Sequence, residues 1–340
     1  MPLPSISRAA LLTMAAAALV SLGGVGTGLS EGQKPNAVVQ RLKPKYLYLK
    51  TAMDEEEIRF ALYAPPPATA PGPGNTARPP GGSGTAGPAP ASPMPVIVVS
   101  GEWGWTPLLQ DTASSLALKG RHVLGLDSTA YFRKMLAEPA LANDFADFRG
   151  IVNEAAGRPK GAPVLLAGFA YGAEMIPYVL NRTGVRGVQG ALLISPGVSG
   201  AAVYRVAIQL RMAPPPNESF SVEGEYRRLP PIPAVVLEGG DDTKSAGRDL
   251  TQALRGPHTY VPIPGADHQF HRMQETYFEQ VSNALQWIES QAPWPGSLEG
   301  PLPLQKSGAS AAPPATGSGY GGHVGAGPGP RATPSPTAPP

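Results

Sequence analysis

The sequence predicts an α/β fold, a mostly parallel sheet with helices on both faces and antiparallel strands at its N-terminal edge. Two observations carry this. From residue 96 to residue 290, strand-like and helix-like segments alternate, and several of the strand-like ones are apolar runs without polar gaps, as expected of strands covered on both sides. The first two strands come before any helix, so they join as an antiparallel edge and not through a crossover.

Taken in order, Tyr46 to Lys50 and Ile58 to Tyr63 alternate apolar and polar residues and read as the edge strands, with Asp54-Glu55-Glu56-Glu57 as the turn between them. Val96 to Ser100 is a β-branched run and the first buried strand. Thr106 to Lys119 has helical periodicity, offering Leu108, Leu109, Leu116 and Leu118 to a buried face. His122 to Asp127 is the next strand, followed by a helix from Asp144 to Ala155 that sets Phe145, Phe148, Ile151 and Val152 at helical spacing. Val164 to Gly168 is a strand, Glu174 to Asn181 lies in a helix, and Val188 to Ile194 is a strand. Val203 to Met212 breaks the alternation and reads as an extra strand or part of a lid. Ala234 to Leu237, a helix from Ser245 to Leu254, His258 to Ile263 and a closing helix from Met273 to Ser290 complete the series.

Composition sets the limits of the folded part. Gly 41 and Pro 42 make up about a quarter of 340 residues, and they concentrate in two blocks that cannot bury a core. The expected organisation is therefore residues 40–64 as edge strands, a disordered insertion over 65–94, the main domain over 95–292 and a disordered tail over 293–340. A formal net charge of +2 gives no electrostatic footprint for nucleic acid. The absence of cysteine excludes disulfides, thiolate metal sites and a cysteine nucleophile. Nothing in the sequence calls for a cofactor. At the N-terminus, Arg8 precedes an apolar run from Ala9 to Val20 and then small residues to Gly28. This is the pattern of a secretory signal over residues 1–30. An uncleaved anchor over residues 9–30 stays open, because that stretch carries no charge and just reaches bilayer length. Either reading exports the protein.

The chemistry-bearing pattern begins at Gly168-Phe169-Ala170-Tyr171-Gly172-Ala173, between a strand and a helix. That is the setting of the nucleophile elbow G-x-S-x-G, with an alanine, Ala170, where the serine would stand. Two further groups follow at strand ends. Gly239-Gly240-Asp241-Asp242 offers an acid, with Asp242 ahead of Asp241, and Pro264-Gly265-Ala266-Asp267-His268 offers a histidine. Elbow, acid, histidine is the chain order of α/β-hydrolases, and the C-terminal ends of parallel strands are where such sheets bind ligands. The fold class thus narrows to the α/β-hydrolase fold. An oxyanion hole would take the backbone N–H of Tyr171 and that of Glu102 or Trp103, from the loop Gly101-Glu102-Trp103-Gly104-Trp105.

Ser100 to Trp105, Gly125-Leu126-Asp127-Ser128-Thr129-Ala130-Tyr131-Phe132, and the elbow with Pro177 together resemble the bacterial virulence protein family VirJ/AcvB. That family has an S-G-D-G-G-W loop, a V-D-S-L-R-Y-F segment and a G-Y-S-F-G-A-D elbow in the same order. The D-S-x-x-Y-F segment is the most specific element, and the likeness spans roughly Val96 to Ile288. The late Gly265 to Phe270 segment matches the family's G-G-H-H-F only in part. The resemblance implies a periplasmic protein linked to virulence and type IV secretion, and a family chemistry of hydrolysing lysyl-phosphatidylglycerol. It implies Asp242 and His268 as acid and base, with Ala170 at the vacant nucleophile position. Glu102 and Glu174 stand where the family has Asp, facing a cationic headgroup or serving as solvated or loop-bracing residues.

Three functional classes follow. The leading one is a binding or scaffolding protein on a hydrolase fold, its ligand a small molecule or lipid headgroup close to a membrane; the sequence names no protein partner. The second is an active hydrolase with a displaced nucleophile among Ser100, Ser128, Ser195 and Thr243, or with a water activated by His268 and Asp242. The third is a metal site from Asp267, His268 and His271, which lacks a further firm ligand. Trp103 and Trp105 divide evenly between pocket lining and packing.

Overall fold

The computed structural model describes residues 40–51, 57–67, 92–184, 186–210 and 212–291. The N-terminal signal or anchor, most of the Pro/Gly-rich insertion, most of the acidic turn and the whole tail over 293–340 lie outside these residues.

An eight-stranded sheet runs in the order β1-β2-β4-β3-β5-β6-β9-β10, where β1 is Lys45–Lys50, β2 Glu57–Tyr63, β3 Val96–Val99, β4 Val123–Leu126, β5 Val164–Phe169, β6 Val188–Ile194, β9 Ala234–Gly239 and β10 His258–Ile263. β1 pairs antiparallel with β2, and β2 antiparallel with β4; every other neighbour is parallel. The edge strands behave as their alternation requires, whereas β3, β4, β5 and β9 are buried throughout. Pro262 has no N–H to give a ladder, and it sits in β10, the last strand of the sheet.

Period-two alternation sends successive side chains to opposite faces. Ile97, Val99, Leu166 and Leu193 pack with α3 (Glu138–Ala155), α4 (Tyr171–Thr183) and α6 (Val222–Arg228). Val96, Val98, Leu165 and Leu192 pack with α1 (Pro107–Leu118) and α8 (Gln274–Ser290), where Phe270 stacks on Tyr277 with centroids 4.4 Å apart. Each face becomes its own apolar core, with the parallel strands between them.

Several boundaries differ from expectation. α3 begins six residues early because its first turns run along the surface with only Leu141 buried, so the periodic signal starts late. Leu118 is exposed at the end of α1. The helix expected over Ser245 to Leu254 contracts to α7 (Gly247–Thr251): Ser245 Oγ and the Gly247 N–H both donate to the buried Glu238 carboxylate, fixing the preceding residues in a loop. Val203 to Met212 is no strand. It belongs to an excursion from the sheet in which β7 (Ser199–Ala201) pairs antiparallel with β8 (Ser219–Ser221) and the short α5 (Val206–Gln209) lies between them. α6 was not expected; its apolar anchors Val222 and Tyr226 are separated by charged residues. No helix among the described residues is long and apolar enough to cross a membrane.

Candidate active site

The elbow forms where β5 runs into α4, and its glycines are sterically required. A Cβ on Gly168 would lie 2.5 Å from the Gly172 carbonyl, and one on Gly172 would lie 2.4 Å from Val99 O and 2.6 Å from Ser100 O. Strand, helix and the end of β3 therefore touch backbone to backbone. Ala170, between the glycines, has φ 46° and ψ −114°. That conformation costs about 1–3 kcal/mol for a residue with a Cβ and persists only where the surroundings impose it. Its N–H donates to Ile194 O at 2.8 Å, and its carbonyl accepts the N–H groups of Ala173 and Glu174. Tyr171 opens α4, so its N–H has no acceptor within the helix.

The loop after β3 passes beside this turn. Gly101 is close enough that a Cβ on it would sit 3.4 Å from the Ala170 Cβ. Gly104 N–H donates to Gly101 O, closing a turn with Glu102 and Trp103 at its centre. The Glu102 carbonyl accepts the Tyr204 hydroxyl at 2.9 Å and Gln209 Nε2 at 3.0 Å. Because a peptide is planar and trans, fixing that carbonyl also fixes the direction of the Trp103 N–H. The two tryptophans part company: Trp103 is 59% exposed, while Trp105 donates to the Tyr63 hydroxyl and lies against Gly125, where a Cβ would fall 2.4 Å from its ring.

The D-S-x-x-Y-F segment braces this loop. The Asp127 side chain caps α2 (Ser128–Tyr131) by accepting the Thr129 N–H. Ser128 donates its N–H to Ser100 Oγ at 2.9 Å and its hydroxyl to Gly101 O at 3.0 Å. Tyr131 donates to Asp144, and Phe132 meets the Tyr171 ring edge-on with centroids 6.1 Å apart. Ser100 and Ser128 are fully buried and committed to one another.

Asp242 and His268 meet across the tips of β9 and β10, with His268 Nδ1 2.7 Å from Asp242 Oδ2. The second Asp242 oxygen accepts the Lys244 N–H at 2.9 Å. Burial pushes the Asp242 carboxyl up, but the hydrogen bond and charge of His268, the Lys244 N–H and the nearby Ser195 hydroxyl outweigh it and hold the group below its ordinary value. With Nδ1 committed to Asp242, Nε2 is the ring nitrogen left for another partner. Its ring lies 5.4 Å from that of Phe169, the residue before Ala170, so the histidine reaches back over the sheet to the elbow. Close approach is again backbone-limited, since a Cβ on Gly239 would meet Ala266 O at 2.4 Å. Asp241 is exposed. Asp267 and His271 turn away from this pair and bond one another, Nδ1 to Oδ2 at 3.0 Å. Among the described residues no three candidate ligands gather as a metal site.

Glu174 is a buried carboxyl on the first turn of α4. Burial pushes it up to about 8, against the Gly197 N–H that holds it down at 3.0 Å, and the charge of Glu102 pushes it further up. Two acids are thus close enough to repel beside the elbow. Sequence reasoning missed three features here: the α5 contacts that hold the Glu102 carbonyl, the Glu238 carboxylate that shapes the loop carrying Asp242, and the burial of Ser195. A lone glutamate ending an apolar strand, as in Ala234 to Glu238, is the one signal that stood in the sequence.

A sequence model of the family described as "Bacterial virulence protein (VirJ)" matches residues 94–289. A comparison with curated protein sequences finds no match. Among solved structures, a soluble variant of monoglyceride lipase from Saccharomyces cerevisiae, bound to a substrate analogue, is 12% identical with a TM-score of 0.50, over 76% of this chain and 99% of that one. Est1E from Butyrivibrio proteoclasticus is 13% identical with a TM-score of 0.46, over 72% and 99%. An α/β serine hydrolase without lid from Xanthomonas campestris is 16% identical with a TM-score of 0.43, over 74% and 96%. At such identities the likeness is one of fold, and the fold is that of the α/β-hydrolases.

Proposed function

The chain belongs to the VirJ family of bacterial virulence proteins, and from that premise we propose that it is an exported binding or scaffolding protein that holds an ester ligand at its elbow without a serine acyl-enzyme. The observation that carries this reading is Ala170 itself. It keeps the strained backbone of an elbow at the end of β5, next to a formed Asp242–His268 pair, and its side chain has no oxygen. A triad lacking one member typically retains only about 10³–10⁴-fold acceleration over water, from oxyanion donors and binding. The backbone donors at Tyr171 and at Glu102 or Trp103 do not depend on the serine, so an ester carbonyl is still recognised.

The ligand class follows from the family resemblance and from charge. Lysyl-phosphatidylglycerol, whose hydrolysis the family resemblance implies, carries amines on its ester-linked headgroup. Glu102 and Glu174 offer it acidic partners near the elbow, and an ammonium there would favour ionised Glu174 over the protonated form that burial favours. Export to the periplasm rests on residues 1–30 and on the family.

The intact Asp242–His268 pair favours one second reading, hydrolysis by a water that His268 activates. Of the displaced-nucleophile candidates, Ser100, Ser128 and Ser195 are poor nucleophiles because all three are buried, and Thr243 is exposed. Ester hydrolysis separates the two proposals, and a fluorophosphonate probe tests the elbow. Wild type stays unlabelled and inert toward esters, Ala170→Ser gains labelling that depends on His268, and wild type retains vesicles containing lysyl-phosphatidylglycerol over plain phosphatidylglycerol. His268-dependent ester hydrolysis by wild type selects the water route, and failure of both labelling and vesicle binding removes the first reading.

A further inference from the structure

We propose that Ser195 is a positioning residue that holds the Asp242 carboxylate, and through it the His268 ring, in register with the elbow. This rests on the reading of Asp242 and His268 as the working pair, but its test reads the carboxylate and not the ligand, so the two fail separately. Ser195 follows β6, which lies between β5 and β9 in the sheet. Its neighbours on either side are therefore the elbow and the loop that carries Asp242. The Ala170 N–H donates to Ile194 O at 2.8 Å, and the Ser195 N–H donates to Leu237 O at 2.8 Å. The next carbonyl, Pro196 O, accepts the Ala246 N–H at 2.8 Å and Ser245 Oγ at 3.2 Å. The acid loop thus closes onto this segment.

Three features of Ser195 are unexplained by packing. It has φ 49°, a conformation that a residue with a Cβ keeps only when its surroundings demand it. It is 1% exposed. Its hydroxyl is buried without a hydrogen bond among the described residues, and an orphaned buried donor calls for a reason. Asp242 supplies one. Its side chain is also 1% exposed, and it accepts one bond on each oxygen, from His268 and from the Lys244 N–H. A carboxylate has about four lone-pair sites, so it has room for a further donor. The Ser195 hydroxyl lies near enough to help hold Asp242 ionised, although its hydrogen-bond geometry is not closed in this structure. Burial also decides what Ser195 is not: an oxygen sealed from solvent has no line to a substrate carbonyl, so it serves the acid and does not replace the missing nucleophile.

The test is the acid titration of the Asp242 carboxyl carbon, followed by NMR and assigned with Asp242→Asn. Replacing the serine by alanine removes one donor and leaves burial less opposed. The midpoint in Ser195→Ala is expected to rise, by up to about one pH unit, the ceiling set by one hydrogen bond to a charged group. Ser195→Gly removes the same hydroxyl while relieving the positive φ, and is expected to give the same rise with a better-folded chain. Ser195→Thr restores a hydroxyl and is expected to return the midpoint toward wild type. An unchanged midpoint in both deletion variants, or an equal rise in Ser195→Thr, overturns the proposal.

Discussion

Replacing Gly172 by alanine tests the elbow by its sterics alone. The added Cβ would lie 2.4 Å from Val99 O, 2.6 Å from Ser100 O and 2.9 Å from Val99 C. All three obstacles are backbone, and Val99 is itself locked in the sheet between β4 and β5. No flexible side chain can give way, so α4 must lift from the end of β3. Overpacking costs about 1–3 kcal/mol, and a backbone obstruction belongs at the top of that range. Alanine is a better helix former than glycine by about 1 kcal/mol, which leaves a net loss of about 2 kcal/mol. In a domain of 150–250 residues this lowers the melting midpoint by roughly 4–8 °C. Circular-dichroism melts of Gly172→Ala and of Gly161→Ala measure it, because a Cβ at Gly161 meets nothing within 4 Å and should change stability by no more than about 0.5 kcal/mol. A Gly172→Ala midpoint equal to that of Gly161→Ala would refute the backbone-contact reasoning, and with it the claim that this turn imposes the conformation of Ala170.

Two further outcomes follow from buried carboxyls. Glu174 has its folded value raised to about 8 by burial, so between its unfolded value, about 4.3, and 8 the folded state binds the proton more tightly than the unfolded chain does. Its contribution is fully present below that lower bound and is lost as pH rises through 8, so urea midpoints of wild type should fall across pH 5–9 and those of Glu174→Gln should lack that slope; parallel curves would show that Glu174 is not the group responsible. Glu238→Ala strands Tyr260, Ser245 and the Gly247 N–H, all of which bond its carboxylate, and is expected to cost about 2–4 kcal/mol in urea unfolding. The same variant should move the His268 ring resonances, since the loop carrying Asp242 loses its inner tether; unmoved resonances would show that the loop holds its shape without Glu238.

Much of the fold was legible because burial leaves a mark on composition. Strands covered on both faces are apolar, so β3, β4, β5 and the Ala234 to Leu237 run of β9 stood out, and the glycines of the elbow marked a junction where side chains do not fit. What escaped was structure whose determinants are polar or distant. α7 was overextended because Glu238, nine residues away from Gly247, fixes the loop before it. The cap around α5 was ambiguous because its anchor is a carbonyl at Glu102, about a hundred residues earlier in the chain. Leu118 was assigned to a buried face by spacing alone, and its place at the helix end leaves it in solvent.

The sequence by itself determined that this chain is an α/β-hydrolase-fold member of its family, and that residue 170 has no hydroxyl; both are facts of residue type and order. Tertiary structure alone decided that His268 takes Asp242 and not Asp241 or Asp267, that Ser100 and Ser128 are spent on one another, and that Ser195 is sealed from solvent. Those choices depend on which strand tips stand side by side in the sheet. Hydrogen bonds act over about 3 Å, while the partners lie tens of residues apart along the chain.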